Sequence, residues 1–140
     1  MQQTIQTQAD MVALGQNLVK LLPVPSVIEL VGDVGVGKTT LVKGIARGLG
    51  IKDEITSPSF TVHKQYVTPD CILSHYDFYR LHDPGIMADE IAETLQDQHA
   101  ITVVEWAGSV QNVLPKNHIT ITINYNDDGS RAIETKGLKP

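Results

Sequence analysis

Cysteine is all but missing from this chain of 140 residues, with Cys71 the only one. A lone thiol cannot close an internal disulfide, so no oxidative staple holds the fold and a reducing compartment, the cytoplasm, is expected. Arginine is nearly as scarce: Arg47, Arg80 and Arg131 are the only three. Lysine and arginine together number 11 against 16 aspartates and glutamates, a formal net charge of -5. That balance argues against a chain that grips nucleic acid by charge alone. No apolar run approaches the length needed to span a bilayer. The opening residues, Met1-Gln2-Gln3-Thr4, begin neither a signal peptide nor a membrane segment. Internal repeats, low-complexity stretches and dividing linkers are also missing. One domain over residues 1–140 is expected, long enough to bury about two-thirds of its unfolded surface in one core.

Glycine, by contrast, is concentrated where it carries chemistry. Residues 32–39 read Gly-Asp-Val-Gly-Val-Gly-Lys-Thr and match the phosphate-cradling pattern Gly-x-x-x-x-Gly-Lys-[Ser/Thr] at every fixed position. Glycines let backbone N–H groups close around phosphate oxygens with no Cβ in the way. Lys38 supplies a point charge for the β- and γ-phosphates, and the Thr39 hydroxyl can ligate Mg²⁺. The run Val27-Ile28-Glu29-Leu30-Val31 before the loop reads as a buried strand. After it, Leu41, Val42, Ile45, Ala46 and Leu49 fall at helical spacing, and Gly48 and Gly50 terminate that helix. Strand, glycine loop and helix is the order phosphate binding needs, because the helix N-terminus then faces the anion. The amides of Asp33, Val34, Gly35, Val36, Gly37 and Thr40 are accordingly candidate nucleotide contacts, with Lys38 and Thr39.

The remaining elements follow from periodicity. Residues 4–7 predict a short edge strand, and Asp10 an N-cap for a helix with Met11, Leu14, Leu18 and Leu21 on its apolar face. Pro23 and Pro25 end that helix. Strands are expected over 60–67 and 71–77, and a helix beginning at Asp83-Pro84 with Met87, Ile91 and Leu95 on one face. The continuous apolar run 100–104 predicts a central strand. In the tail, Ile119, Ile121 and Ile123 alternate with polar residues. Asp127-Asp128-Gly129 is a hairpin turn, and residues 131–135 the return strand. The fold class is α/β, a mixed sheet of the P-loop NTPase kind flanked by helices, with a C-terminal antiparallel β-ribbon. Strand order is not legible.

A nucleotide site also needs acids. In open α/β sheets ligands collect at the C-terminal ends of strands. Glu105 directly follows the run 100–104 and is the candidate Mg²⁺ carboxylate, while Asp77 ends its own strand and is the candidate for orienting the attacking water. Each could instead be a solvated acid at a strand end. Trp106 is equally a core anchor or a site residue. His75 shares a strand face with Asp77, but no third ligand lies near it in sequence, so a structural or partner-facing histidine is expected rather than a metal ligand. Arg80 reads as a phosphate contact or a surface ion pair, and Cys71 as a small buried hydrophobe.

Four segments occur in compact order: Gly-Asp-Val-Gly-Val-Gly-Lys-Thr-Thr at 32–40, Ser-Pro-Ser-Phe-Thr at 57–61, His-Tyr-Asp-Phe-Tyr-Arg-Leu at 75–81 and Val-Glu-Trp at 104–106. Together they resemble the bacterial ATPase of tRNA threonylcarbamoyladenosine biosynthesis, the TsaE type, from about residue 7 to residue 131. The resemblance implies a small ATPase that takes ATP and Mg²⁺. It would work with two kinase-like partners, a threonylcarbamoyltransferase subunit and its paralogue, and meet tRNA only through that complex. Hydrolysis would reset the complex between rounds. Thr39 and Glu105 match the Mg²⁺ positions, Lys38 and the loop amides the phosphate positions, Asp77 the catalytic acid and Trp106 a site tryptophan. Residues 57–61 match a mobile segment near the γ-phosphate. The resemblance also points to Thr7 or Gln8 beside the adenine and to Arg131 as a nucleotide contact. Val36 stands where alanine is usual, Ser59 replaces threonine, Ala107 follows Trp106 where proline is commoner, and the helix 86–95 matches poorly.

Two other functions fit a phosphate loop. A small-molecule kinase would need an acceptor pocket and a lid with arginines, which three scattered arginines argue against. A nucleotide-switched adaptor would use ATP to set partner affinity, with incidental turnover. No Asn-Lys-x-Asp segment for reading guanine is present.

Overall fold

A computed structural model describes residues 2–33, 35–58, 62–79 and 86–138, with backbone alone for residues 86, 87 and 109. Its elements in chain order are β1 (Gln2–Ile5), α1 (Gln8–Val19), β2 (Ser26–Val31), α2 (Lys38–Gly48), β3 (His63–Val67) and β4 (Ile72–Asp77). There follow α3 (Ile86–Thr94), β5 (Ala100–Glu105), a 3-10 segment (Ala107–Val113), β6 (Ile119–Tyr125) and β7 (Arg131–Lys136). The strands form one seven-stranded sheet in the order β1-β7-β6-β2-β5-β4-β3. β6, β2, β5 and β4 run parallel, and the outer strands β3, β7 and β1 join by antiparallel pairing. The expected C-terminal ribbon exists as the β6–β7 hairpin. It is built into the sheet, since β6 also pairs with β2 and β7 with β1.

β5 is buried along its whole length, as expected for a parallel strand covered on both faces. Its alternating side chains feed two cores. Ile101 and Val103 join Ile28, Leu30, Leu41 and Ile45 beneath α1 and α2, whereas Val104 joins Tyr76, Phe78 and Ile91 on the opposite side.

The α1 boundary differs from expectation. Thr7, not Asp10, is the N-cap: its extended backbone turns the chain into the helix and its Oγ1 accepts the Asp10 amide at 3.1 Å. The edge strand therefore stops at Ile5, before the cap. At the other end the helix closes at Val19, and Leu21 is half exposed rather than part of the apolar face. The expected helix start at Asp83-Pro84, residues 60 and 61 of the expected strand 60–67, and Arg80 lie outside the described residues.

Two glycines set the distance between α1 and α2. A Cβ added at Gly44 would collide with the Val12 carbonyl, and one at Gly15 would lie 2.6 Å from both the Ile45 nitrogen and the Leu41 carbonyl oxygen. The helix backbones thus touch, and α1 buttresses the helix whose first residue is Lys38.

Candidate functional site

The phosphate loop leaves β2 and enters α2 at Gly37, whose φ of +119° is available to glycine and strained for other residues. α2 then opens with Lys38, Thr39 and Thr40, so the lysine and both hydroxyls sit at the positive end of a helix dipole. Glu105 and Asp77 end adjacent parallel strands and are opposed in register. Opposed residues point to the same face, here the one that α2 covers. A cleft of about 290 Å³ results. It is lined by Gly35, Gly37, Lys38, Thr39, Thr40, Asp77, Glu105 and Trp106, with Ser57 and Tyr79 at its side.

Inside it, the Lys38 ammonium is buried. It donates to the Gly32 carbonyl at 2.5 Å, lies 3.7 Å from Glu105 Oε1 and rests 4.2 Å from the centroid of the Trp106 ring. Asp77 accepts the Tyr79 amide at 3.0 Å and faces the Ser57 hydroxyl at 3.5 Å. Trp106 has a left-handed backbone (φ +55°), which is costly for an aromatic residue and fits a functional position. Its ring touches Tyr79 and Lys38 and also packs against the second core. Trp106 is thus both anchor and site wall.

A second cleft of about 200 Å³ shares Gly35, Gly37 and Thr40 with the first and is completed by Thr7, Gln8, Met11, Val36 and Arg131. This places Thr7 and Arg131 beside the loop, on the side away from the acids. The Arg131 guanidinium stacks over Tyr125 at 4.2 Å, and its Nε donates to the Val36 carbonyl at 3.0 Å. Val36 offers only backbone to the site, because its side chain is buried in the core. Asp33 lines neither cleft; its carbonyl accepts the Val36 amide within the loop, and it borders a separate groove beneath Trp106. Val34 lies outside the described residues.

Two contributors escape a sequence reading. Tyr125 donates its hydroxyl to the Gly35 carbonyl at 2.7 Å, from a position 90 residues downstream. His75 is fully buried and bonds Glu105 Oε2 through Nε2 at 2.5 Å. It therefore faces no partner, and among the described residues no group of three or more histidines, cysteines or acids gathers as a metal cage. Strand parity placed His75 on the acid-bearing face, but only register shows that Glu105 is its neighbour. Cys71 is buried, and burial raises its thiol pKa, in keeping with an inert packing role.

Residues 5–133 match the family model described as threonylcarbamoyl adenosine biosynthesis protein TsaE. The chain is 40% identical over 114 residues to the tRNA threonylcarbamoyladenosine biosynthesis protein TsaE of Treponema pallidum, covering 81% of this chain and 84% of that one. To the protein of the same name from a Nostoc species it is 36% identical over 124 residues, covering 86% and 76%. The crystal structure of Bacillus subtilis YdiB superposes with a TM-score of 0.79 at 29% identity, covering 95% of this chain and 82% of that one. Sequence match and fold agree over nearly the whole length, and the chain belongs to the TsaE family.

Proposed function

We propose that this protein is a Mg²⁺-dependent ATPase of tRNA threonylcarbamoyladenosine biosynthesis. In this reading it binds ATP in the paired clefts and hydrolyses it to reset a threonylcarbamoyltransferase complex. The observation that carries the reading is the convergence of Lys38, Thr39, Asp77 and Glu105 on one cleft at the head of α2. The family membership and the names of the relatives support the pathway. The partners are then the transferase subunit and its kinase-like paralogue, with tRNA reached through them, in the cytoplasm.

The donor set suits the cation. Thr39 and Glu105 offer a hydroxyl and a carboxylate in the same cleft, hard oxygen ligands of the kind Mg²⁺ takes alongside triphosphate oxygens. When bound, the ion would neutralise charge on the β- and γ-phosphates. Lys38 and the amides of the loop and first helical turn hold the phosphates. The Asp77 carboxylate, fixed by the Tyr79 amide, orients water toward the terminal phosphate. Thr7 and Arg131 flank the nucleoside side. A nucleotide-switched adaptor is the second reading, favoured by Tyr79, which lines the cleft and is half exposed, a ring that a bound partner would meet.

The test is phosphate release from ATP with and without the two partners and tRNA, comparing wild type with Glu105→Ala. The ATPase reading predicts Mg²⁺-dependent turnover, stimulated by partners and lost in Glu105→Ala. Equal turnover in both proteins would refute it. Nucleotide-dependent partner binding with no turnover would instead establish the adaptor.

A further inference from the structure

His75 is out of place as an interior residue. Its ring is 0% exposed, on a strand flanked by neighbours on both sides. Burying an imidazole is unfavourable unless its nitrogens are satisfied. Among the described residues Nδ1 has no hydrogen-bond partner, and Nε2 bonds Oε2 of Glu105 at 2.5 Å. An apolar side chain would fill this space and leave no orphan atom, so the polarity of the ring is directed at one carboxylate.

Register explains the aim. On the parallel strands β4 and β5, His75 lies opposite Val103 and Asp77 opposite Glu105. His75 therefore shares a face with Glu105, two residues nearer the strand N-terminus, and meets the carboxylate from the core side. Lys38 meets the other oxygen, Oε1, at 3.7 Å. An ionised carboxylate only accepts, so Nε2 is the donor in this pair.

We propose that His75 is a positioning residue for Glu105: it holds Oε2 from behind so that Oε1 is presented to the cleft for a Mg²⁺-bound triphosphate. His75 does not line the cleft. It acts by removing rotational freedom that the glutamate would otherwise lose on binding the ion, as outer-sphere partners of metal ligands do. The inference rests on the proposed role of Glu105 as a Mg²⁺ ligand.

The test is calorimetric ATP binding across a range of Mg²⁺ concentrations and in EDTA, for wild type, His75→Phe, Glu105→Ala and the double variant. His75→Phe should raise the half-saturating Mg²⁺ concentration about tenfold or more while leaving the affinity in EDTA within about twofold. In the Glu105→Ala background it should add nothing, because its effect passes through that carboxylate. A folded His75→Phe with wild-type Mg²⁺ dependence overturns the inference. So does an effect that persists undiminished beside Glu105→Ala, which a purely structural role requires. Should the buried substitution prevent folding, the wild-type protein decides. Proton–nitrogen correlation spectra of labelled histidine should place the His75 proton on Nε2 and show that resonance moving when Mg²⁺ is added to the ATP complex. An Nε2 without a proton, or a resonance indifferent to Mg²⁺, overturns the proposal. Failure of the parent reading looks different: wild type would then bind ATP equally with and without Mg²⁺, and Glu105→Ala would change nothing.

Discussion

The Tyr125 hydroxyl donates to the Gly35 carbonyl at 2.7 Å, tying the end of β6 to the middle of the phosphate loop. Arg131, stacked on the same ring, holds the next carbonyl, that of Val36. Because a peptide unit is planar, fixing a carbonyl fixes the amide N–H on its other side. The hairpin thus sets the orientation of two loop peptides before any phosphate arrives.

Tyr125→Phe should therefore weaken ATP and ADP binding together. Loss of one neutral hydrogen bond is worth about 1 kcal/mol, or roughly fivefold in Kd. Tyr125 is half exposed, so the variant should melt close to wild type. Adenosine, which lacks phosphates, should be indifferent to the change. Calorimetry with the three ligands checks this, and an equal loss for adenosine would show that the tyrosine acts elsewhere.

Gly44→Ala should be far more damaging than its size suggests. The added methyl would strike the Val12 carbonyl, which is backbone and cannot rotate away. Overpacking of this kind costs about 1–3 kcal/mol or more, which lowers the melting temperature by roughly 5–10 °C. Since α2 carries Lys38 and Thr39 at its first turn, nucleotide affinity should fall with it. Differential scanning fluorimetry with and without ATP reads both effects, and a wild-type melt would contradict this packing.

Much of this was legible in the sequence, and the boundary is physical. The phosphate loop, its strand and its helix are local features, fixed by glycine conformation and helical periodicity within a few residues. Asp77 and Glu105 could be picked because strand ends are visible as the end of an apolar run. What escaped depends on chain segments far apart in sequence. Strand order decides that β4 lies beside β5, and hence that His75 supports Glu105. The hairpin was readable, but its contact with Gly35 was not. Thr7 and Asp10 are both residue types that cap helices, and only the backbone angle separates them.

His63 gives the fold a pH dependence. Its ring stacks on Tyr76 with centroids 4.0 Å apart, its Nδ1 meets Glu90 at 2.9 Å, and its Nε2 is buried without a partner among the described residues. Desolvation lowers its pKa below 6.5, outweighing the opposing pull of Glu90. A folded pKa below the unfolded one means that the unfolded chain binds the proton more readily. The stability contribution is thus present above the unfolded value and lost as pH falls through the folded one. Melting temperature should decline as pH drops below about 6.5, and His63→Phe should flatten that decline. Identical pH profiles for the two proteins would count against this assignment.

In the proposed function, the glycine loop and Lys38 gather a triphosphate at the head of α2. Calorimetric titration of ATP with saturating Mg²⁺ into wild type and Lys38→Ala tests it most directly. Wild type should show one site per chain and Lys38→Ala at least about a thirtyfold loss, as removal of a charge-assisted hydrogen bond worth about 2 kcal/mol or more requires. No heat of binding in wild type, or equal affinity in the two proteins, would contradict it.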